Sequence, residues 1–426
     1  MRHLNRALCA LTSAALAVGV LAGCGSGSSS SSSSGGSSGT VTLKVEGWKG
    51  GGAEPANVAQ VNAAFQAAHP NIKLDYSFVP PNDVYLQKLQ SQLIAGDAAD
   101  VIMVDPQKVQ TWGKSGYLAD LTQQGWTSGV PANLKPFVSY QGKVLAAPME
   151  LSPVGIYTNL DILAKAGIDS APTDFPTFLD DLAKLKAKGL PGYSLPDAQG
   201  YMAEFVMLLS AATTVYGQTP DWDQQFMAGK VTFPQSFQKP LEQIQALGTR
   251  GLVDLKGSVG TDEVTTGEPD FLAGKSAFYA GGSWQAAAIQ KGGFKLAFIP
   301  WPGGEAGVAP SALVFPGTMW SVNAKTKVSD AAKAYLDFWA KSENLAPYVQ
   351  AEAAISPFGG AGGTSPFLAT MASTFASGKF TLMPINTWLL NAPETQIRSA
   401  LQGFLLGKSD VNATLQAFQK AAAPGS

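Results

Sequence analysis

GKVLAAPMELSPVGIYTN, from Gly142 to Asn159, decides how this chain is read. It holds two short apolar runs, Val144–Ala147 and Val154–Tyr157, separated by Pro148, Met149, Glu150, Leu151, Ser152 and Pro153. Each proline fixes φ and removes a ladder donor, so one regular strand cannot run through. The stretch reads as strand, stiff extended link, strand. Such a link suits a crossover between two lobes, where a few residues absorb a rotation. An ordinary β-corner inside one domain would satisfy the same residues. The surroundings favour the crossover: 426 residues are too many for one ordinary domain and natural for two lobes of about 150–200.

Outward from this stretch the pattern is α/β. Val41–Glu46 alternates as a strand and ends at Trp48 in a Gly-rich loop. Val58, Val61 and Phe65 share one helix face before Pro70. Ile72, Leu74, Tyr76 and Phe78 alternate in a second strand, and a helix follows from Asn82 or Asp83 to Gly96. Asp100–Val104 reads as a short buried strand that ends at Asp105-Pro106. Strand, helix, strand, helix, strand implies parallel pairing, with ligands gathering beyond the carboxyl ends of the strands. After the crossover, strands are expected at Tyr193–Leu195, Ser276–Ala280 and Lys295–Ile299, the last running into a second candidate crossing at Pro300-Trp301. Ser329 is expected to cap a helix carrying Ala332, Leu336 and Trp339, and later helices centre on Ile397 and Leu415.

The N-terminus is an export signal. Arg2 and Arg6 precede the apolar run Ala7–Leu21, too short to span a bilayer comfortably, and Cys24 follows small residues. Leu21-Ala22-Gly23-Cys24 resembles the bacterial lipobox, in which the cysteine receives diacylglycerol and becomes the mature N-terminus. Residues 1–23 are thus read as a lipoprotein signal peptide and 24–40 as the lipidated cysteine and a Ser/Gly tether, with a mean span of about 20–24 Å. Loss of Arg2 and Arg6 moves the formal charge from −2 to −4. No basic face suited to nucleic acid is visible. Cys9 and Cys24 are the only cysteines, so neither a disulfide nor a cysteine metal site is expected in the mature fold.

The segments AGDAADVIMVD, GYLADLT, GKVLAAPMELSPVGIYTNLDILAKAGID, FLAGKSAFYAGGSW and AAKAYLDFWAKSEN, in this order, resemble the extracellular solute-binding proteins of ABC importers, in the carbohydrate-binding group of maltose-binding protein. The resemblance runs from Val41 to the C-terminus. It implies a periplasmic-binding-protein-like fold of two α/β lobes joined by three hinge crossings, near Ala147–Ser152, Pro300–Trp301 and Lys341–Leu345. One lobe would hold 41–147 plus 302–343, the other 148–301 plus 344–426. It also implies a monomer on the outer face of the cell membrane, with permease transmembrane subunits as partners and neither cofactor nor metal. Pro153, with Tyr157-Thr158-Asn159 in place of a paired-aromatic motif, departs from the family pattern and weakens transfer in the Met149–Ser152 loop.

Sugar sites pair aromatic faces for C–H surfaces with carboxylates and amides for hydroxyls. Read by the positions that the resemblance gives to sugar contacts, the ligand-binding candidates are Trp48, Asp105, Glu150, Asp197, Tyr201, Trp284, Trp320, Asn386 and Trp388, with Trp284 and Trp388 matching stacking aromatics. Capping or a solvated loop would equally explain Asp105, Glu150 and Asp197. Trp339, Trp112 and Trp126 read as structural. His3 and His69 are the only histidines, which disfavours a histidine-based nucleophile system or a typical zinc site. A paired-carboxylate glycosidase and a ligand-free scaffold or sensor are the rival classes. After the signal, only Arg250 and Arg398 remain, and helix-end stabilisation and an i−4 pair with Glu394 would account for them. A neutral mono- or oligosaccharide is therefore expected, since planar anions usually engage arginine.

Overall fold

The computed structural model describes residues 39–49, 56–79, 82–358, 365–391 and 394–423. The segment expected to be a signal peptide, Cys24 and all but the end of the expected tether lie outside the described residues.

Thirteen strands are present among the described residues: β1 (Val41–Gly47), β2 (Ile72–Phe78), β3 (Val101–Val104), β4 (Ser139–Tyr140), β5 (Lys143–Val144), β6 (Ala146–Pro148), β7 (Leu151–Asn159), β8 (Tyr193–Ser194), β9 (Phe278–Gly282), β10 (Leu296–Ile299), β11 (Ala312–Pro316), β12 (Met319–Val322) and β13 (Phe380–Leu382). β4 and β5 form a small hairpin. The others build two sheets, one per lobe. The first has the order β2-β1-β3-β12-β6, with β1 parallel to β2 and β3 and with β12 antiparallel to β3 and β6. Parallel pairing follows from the helices Ala56–Ala68 and Asn82–Ala95, which return the chain to the same sheet edge. The second has the order β13-β11-β7-β9-β8, and β10 also pairs with β7. β7 is the spine of that sheet, and its residues 152–159 are all buried.

The crossover within Gly142–Asn159 is present: β6 ends in the first sheet and β7 begins in the second. The link is shorter than expected, only Met149 and Glu150. Pro153 lies inside β7 opposite Val314. The Val314 carbonyl accepts from Met383 N (2.9 Å), so the missing proline N–H breaks no ladder bond at that register.

The other two crossings fall later than Pro300–Trp301 and Lys341–Leu345. Trp301 is fully buried in the second lobe against Phe178 and Tyr193, and the chain stays in that lobe through β11. It passes to the first sheet at Gly317-Thr318, between β11 and β12. Residues 302–316 therefore leave the lobe in which they were expected. The helix Ser342–Ala351 remains with the first lobe, its Tyr348 ring 5.6 Å from that of Trp339. The third crossing follows it: Ala353 takes a left-handed φ of 48°, and Ile355 pairs with Leu151. Both shifts share a cause. Each expected site was a break in hydrophobic pattern, and a break marks the end of an element without saying which sheet the next one joins. The helix expected to be capped by Ser329 begins there, with Val328 at the cap position and no side-chain cap bond.

Candidate functional site

A cleft of about 1050 Å³ lies between the lobes. On the first lobe it is lined by loops at the carboxyl ends of β1 and β3. Trp48 follows β1, half-buried, its ring 5.4 Å from Tyr85. Asp105 follows β3 and caps the helix Pro106–Lys114, accepting from Lys108 N at 2.7 Å. Gln87 and Gln90 face the cleft from the helix Asn82–Ala95.

The second lobe contributes an aromatic wall. Gly200, at φ 83°, turns the chain into the helix Tyr201–Thr214. One turn of that helix sends Tyr201, Glu204 and Phe205 to the cleft, as i, i+3 and i+4 positions must. Rings follow in sequence: Tyr201 to Phe205 at 5.8 Å, Phe205 to Trp284 at 6.5 Å, Trp284 to Phe315 at 6.0 Å. Trp284 remains 39% exposed, unusual for a tryptophan that touches two other rings. Its indole lies over Gly282, where an added Cβ would meet ring atoms at 2.1 Å, so any larger residue there would displace the ring from this placement. Such a wall offers π-faces to an apolar surface.

The charged groups beside the crossings and the aromatic wall are paired. Glu150, in the first crossing, is 2% exposed; its Oε1 accepts from Lys49 Nζ (2.8 Å) and Thr318 Oγ1 (2.9 Å). Glu150 Oε2 has no hydrogen-bond partner, and the residue lines the cleft. A buried carboxylate oxygen in that position calls for a donor. Lys49 also bonds Glu352. Burial works to lower the Lys49 pKa, but Glu150, Tyr348 and Glu352 together hold it well above the ordinary lysine value. Opposite, Arg398 Nε donates to Glu204 Oε2 at 2.7 Å. This partner lies on a helix far back in the chain; the side chain of Glu394, the i−4 partner that the spacing suggested, lies outside the described residues.

Of the nine expected ligand residues, Trp48, Asp105, Glu150, Tyr201 and Trp284 line the cleft. Four do not. Asp197 is fully buried behind Tyr201, where it caps the same helix by accepting from Ala203 N at 2.8 Å; burial pushes its carboxyl up to about 7. Trp320 packs inside the first lobe against Tyr335 (5.8 Å) and Trp339 (6.2 Å), because alternation along β12 turns it inward. Trp388 is fully buried against Phe233 at 4.9 Å, its Nε1 donating to Asp223 Oδ1 (3.1 Å). Asn386 sits in the turn before it, while its neighbours Ile385 and Leu389 reach the cleft. Trp112 and Trp339 are buried as expected, and Trp126 is half-buried against Phe358.

Sequence reasoning missed Lys49, Glu204, Phe205, Phe315, Thr318, Glu352 and Arg398. For three of them a signal existed: Lys49 adjoins Trp48, and Glu204 and Phe205 lie one turn after Tyr201. Phe315, Thr318, Glu352 and Arg398 arrive through crossings and a helix packing that no local pattern predicts.

Two lobes, three crossings and a lined cleft define a solute-binding protein. Residues 60–367 match the family model for bacterial extracellular solute-binding proteins, and the chain belongs to that family. An ABC transporter extracellular-binding protein of Pyrococcus horikoshii is 26% identical over 319 residues, 72% of each chain. A protein of Brucella suis named "Probable sugar-binding periplasmic protein" is 31% identical over 110 residues, 24% of this chain and 25% of the relative. The chain spans about a third of the length of other curated relatives that it matches. Among solved structures, RafE in complex with raffinose has a TM-score of 0.72 at 20% identity, covering 90% of this chain and 99% of that one. At that identity the likeness shows the fold alone.

Proposed function

We propose that this chain is the substrate-binding lipoprotein of an ABC-type sugar importer, capturing a neutral mono- or oligosaccharide outside the membrane and presenting it to permease transmembrane subunits by lobe closure. The observation that carries the reading is the wall Tyr201–Phe205–Trp284–Phe315 facing paired carboxylates across one cleft. Aromatic faces serve the apolar side of a pyranose, and carboxylates its hydroxyls. Two of the three cations that line the cleft are engaged by carboxylates, which supports a neutral ligand: Lys49 bonds two of them and Arg398 bonds Glu204, while Lys108 lines the cleft beside Asp105. Those pairings also favour binding over acid–base catalysis. The names of relatives support sugar as the cargo. A ligand that touches both lobes favours the closed state, and the permease reads that closure.

The test is a thermal-shift screen of neutral saccharides, since a ligand bound only to the folded state raises the melting temperature by mass action. At 100 times Kd the gain is about 2.7 kcal/mol. The active sugar is expected to remain unchanged on incubation, and scattering at saturation to show a smaller radius of gyration. Turnover would make the protein an enzyme, and failure of every neutral sugar beside a tight anion would overturn the ligand class.

Cys24 carries the proposed anchor, on the strength of Leu21-Ala22-Gly23-Cys24 and the Ser/Gly run behind it. Among the described residues no helix is long and apolar enough to cross a membrane. Cys24→Ala is expected to leave the protein uncleaved or released into the medium. Unaltered membrane fractionation of that variant would defeat the assignment. A monomer suffices for this reading, because one chain supplies both walls of the cleft.

A further inference from the structure

The three crossings meet around two side chains, Lys49 and Glu150. Glu150 belongs to the first, Thr318 to the second and Glu352 to the start of the third. Their backbones are already tied: Met149 N donates to Thr318 O (3.0 Å), Gly317 N to Glu150 O (3.1 Å), and Leu151 and Ile355 exchange bonds of 2.9 and 2.8 Å. Gly317 passes so close that an added Cβ would lie 2.5 Å from Glu150 Cγ. Into this junction the loop after β1 sends Lys49, whose ammonium bonds Glu150 and Glu352 and stands 5.6 Å over the Tyr348 ring. Thr318 closes the set by bonding both Glu150 Oε1 (2.9 Å) and Tyr348 OH (3.0 Å).

We infer that Lys49 is the pin of the hinge, a positioning residue that holds the three crossings in one register and thereby sets the resting angle between the lobes. An ammonium has three donors and can bridge two carboxylates from separate segments. Without it, Glu150 and Glu352, 2% and 8% exposed, lose the cation that both of them bond, and a buried pair broken on one side is strongly unfavourable. Repulsion between the two carboxylates pushes the crossings apart, in the sense of a rotation of the lobes. Because Lys49 also lines the cleft, a bound ligand sits against the element that governs the angle.

The test needs no ligand, so it stands apart from the sugar assignment. Lys49→Met keeps the stem and removes the charge. Scattering of the ligand-free variant is expected to give a radius of gyration a few per cent above the roughly 21 Å of a compact chain of this size. Lys49→Arg is expected to restore the native value, since a guanidinium can still bridge two carboxylates. A folded Lys49→Met protein whose ligand-free profile superimposes on the native one overturns the proposal, including when its melting temperature has fallen, which would make the lysine merely structural. If Lys49→Met does not fold, Glu352→Gln, which keeps an acceptor but removes one of the two charges, replaces it. A smaller shift that raises or lowers the radius supports the pin, and an unchanged radius rejects it.

Discussion

Replacing Trp284 with alanine is expected to weaken saccharide binding by about 1–3 kcal/mol, roughly 5- to 150-fold in Kd, with little change in melting temperature. The tryptophan is the middle residue of a short 3₁₀ turn, Ser283–Gln285, after β9 and keeps 39% of its surface exposed. Its ring is braced from behind by the Gly282 backbone and laterally by Phe205 and Phe315. A rigid ring presented in this way costs little entropy on binding, as hot-spot aromatics do. Its removal leaves no large void, because one face is already open to the cleft. Calorimetric titration with the sugar found in the thermal screen, beside a melting curve, measures both quantities. Native affinity together with a large loss of stability would move Trp284 from the site to the core.

Trp388→Ala is expected to do the reverse. The side chain is fully buried, with Phe233 at 4.9 Å and Phe237 at 6.2 Å, and truncation of a core tryptophan costs about 3–5 kcal/mol. The loss has a polar part as well. Burial already pushes the Asp223 carboxyl up to about 6, against the lowering effect of bonds from Tyr216, Thr387 and Trp388. Removing the indole N–H takes away one of those donors and raises it further. Urea unfolding should show a lower midpoint at an unchanged m-value, while the folded fraction binds sugar with near-native affinity. A variant of native stability with impaired binding would restore Trp388 to the ligand site.

These two tryptophans mark how far the site could be read in advance. Both lie near turns and both matched a stacking position by resemblance, yet one lines the cleft and the other fills the core. The difference is set by what packs around each ring. Trp284 follows two glycines that let it lie flat on the chain, a feature visible in the sequence. The Trp388 pocket is built by Phe233, Phe237, Tyr216 and Asp223, all more than 150 residues earlier. Trp320 was misread for a related reason: alternation along a strand says that neighbouring residues face opposite ways, but only the sheet says which way is inside.

By itself the sequence determined the α/β class, the parallel start of the first sheet, a crossover near Ala147–Ser152 and the aromatic and acidic residues offered at strand ends. These follow from local periodicity, from proline geometry and from the rule that ligands gather at carboxyl edges. Only the tertiary structure decided where the second and third crossings fall, which five of nine expected residues line the cleft, and that Arg398 answers to Glu204. It alone brings Lys49, Glu150, Thr318 and Glu352 to one point. The physical reason is range: hydrophobic pattern and turn chemistry act over a few residues, whereas a hinge joins segments separated by as many as 303 positions, and their meeting is settled by how two sheets and their helices pack.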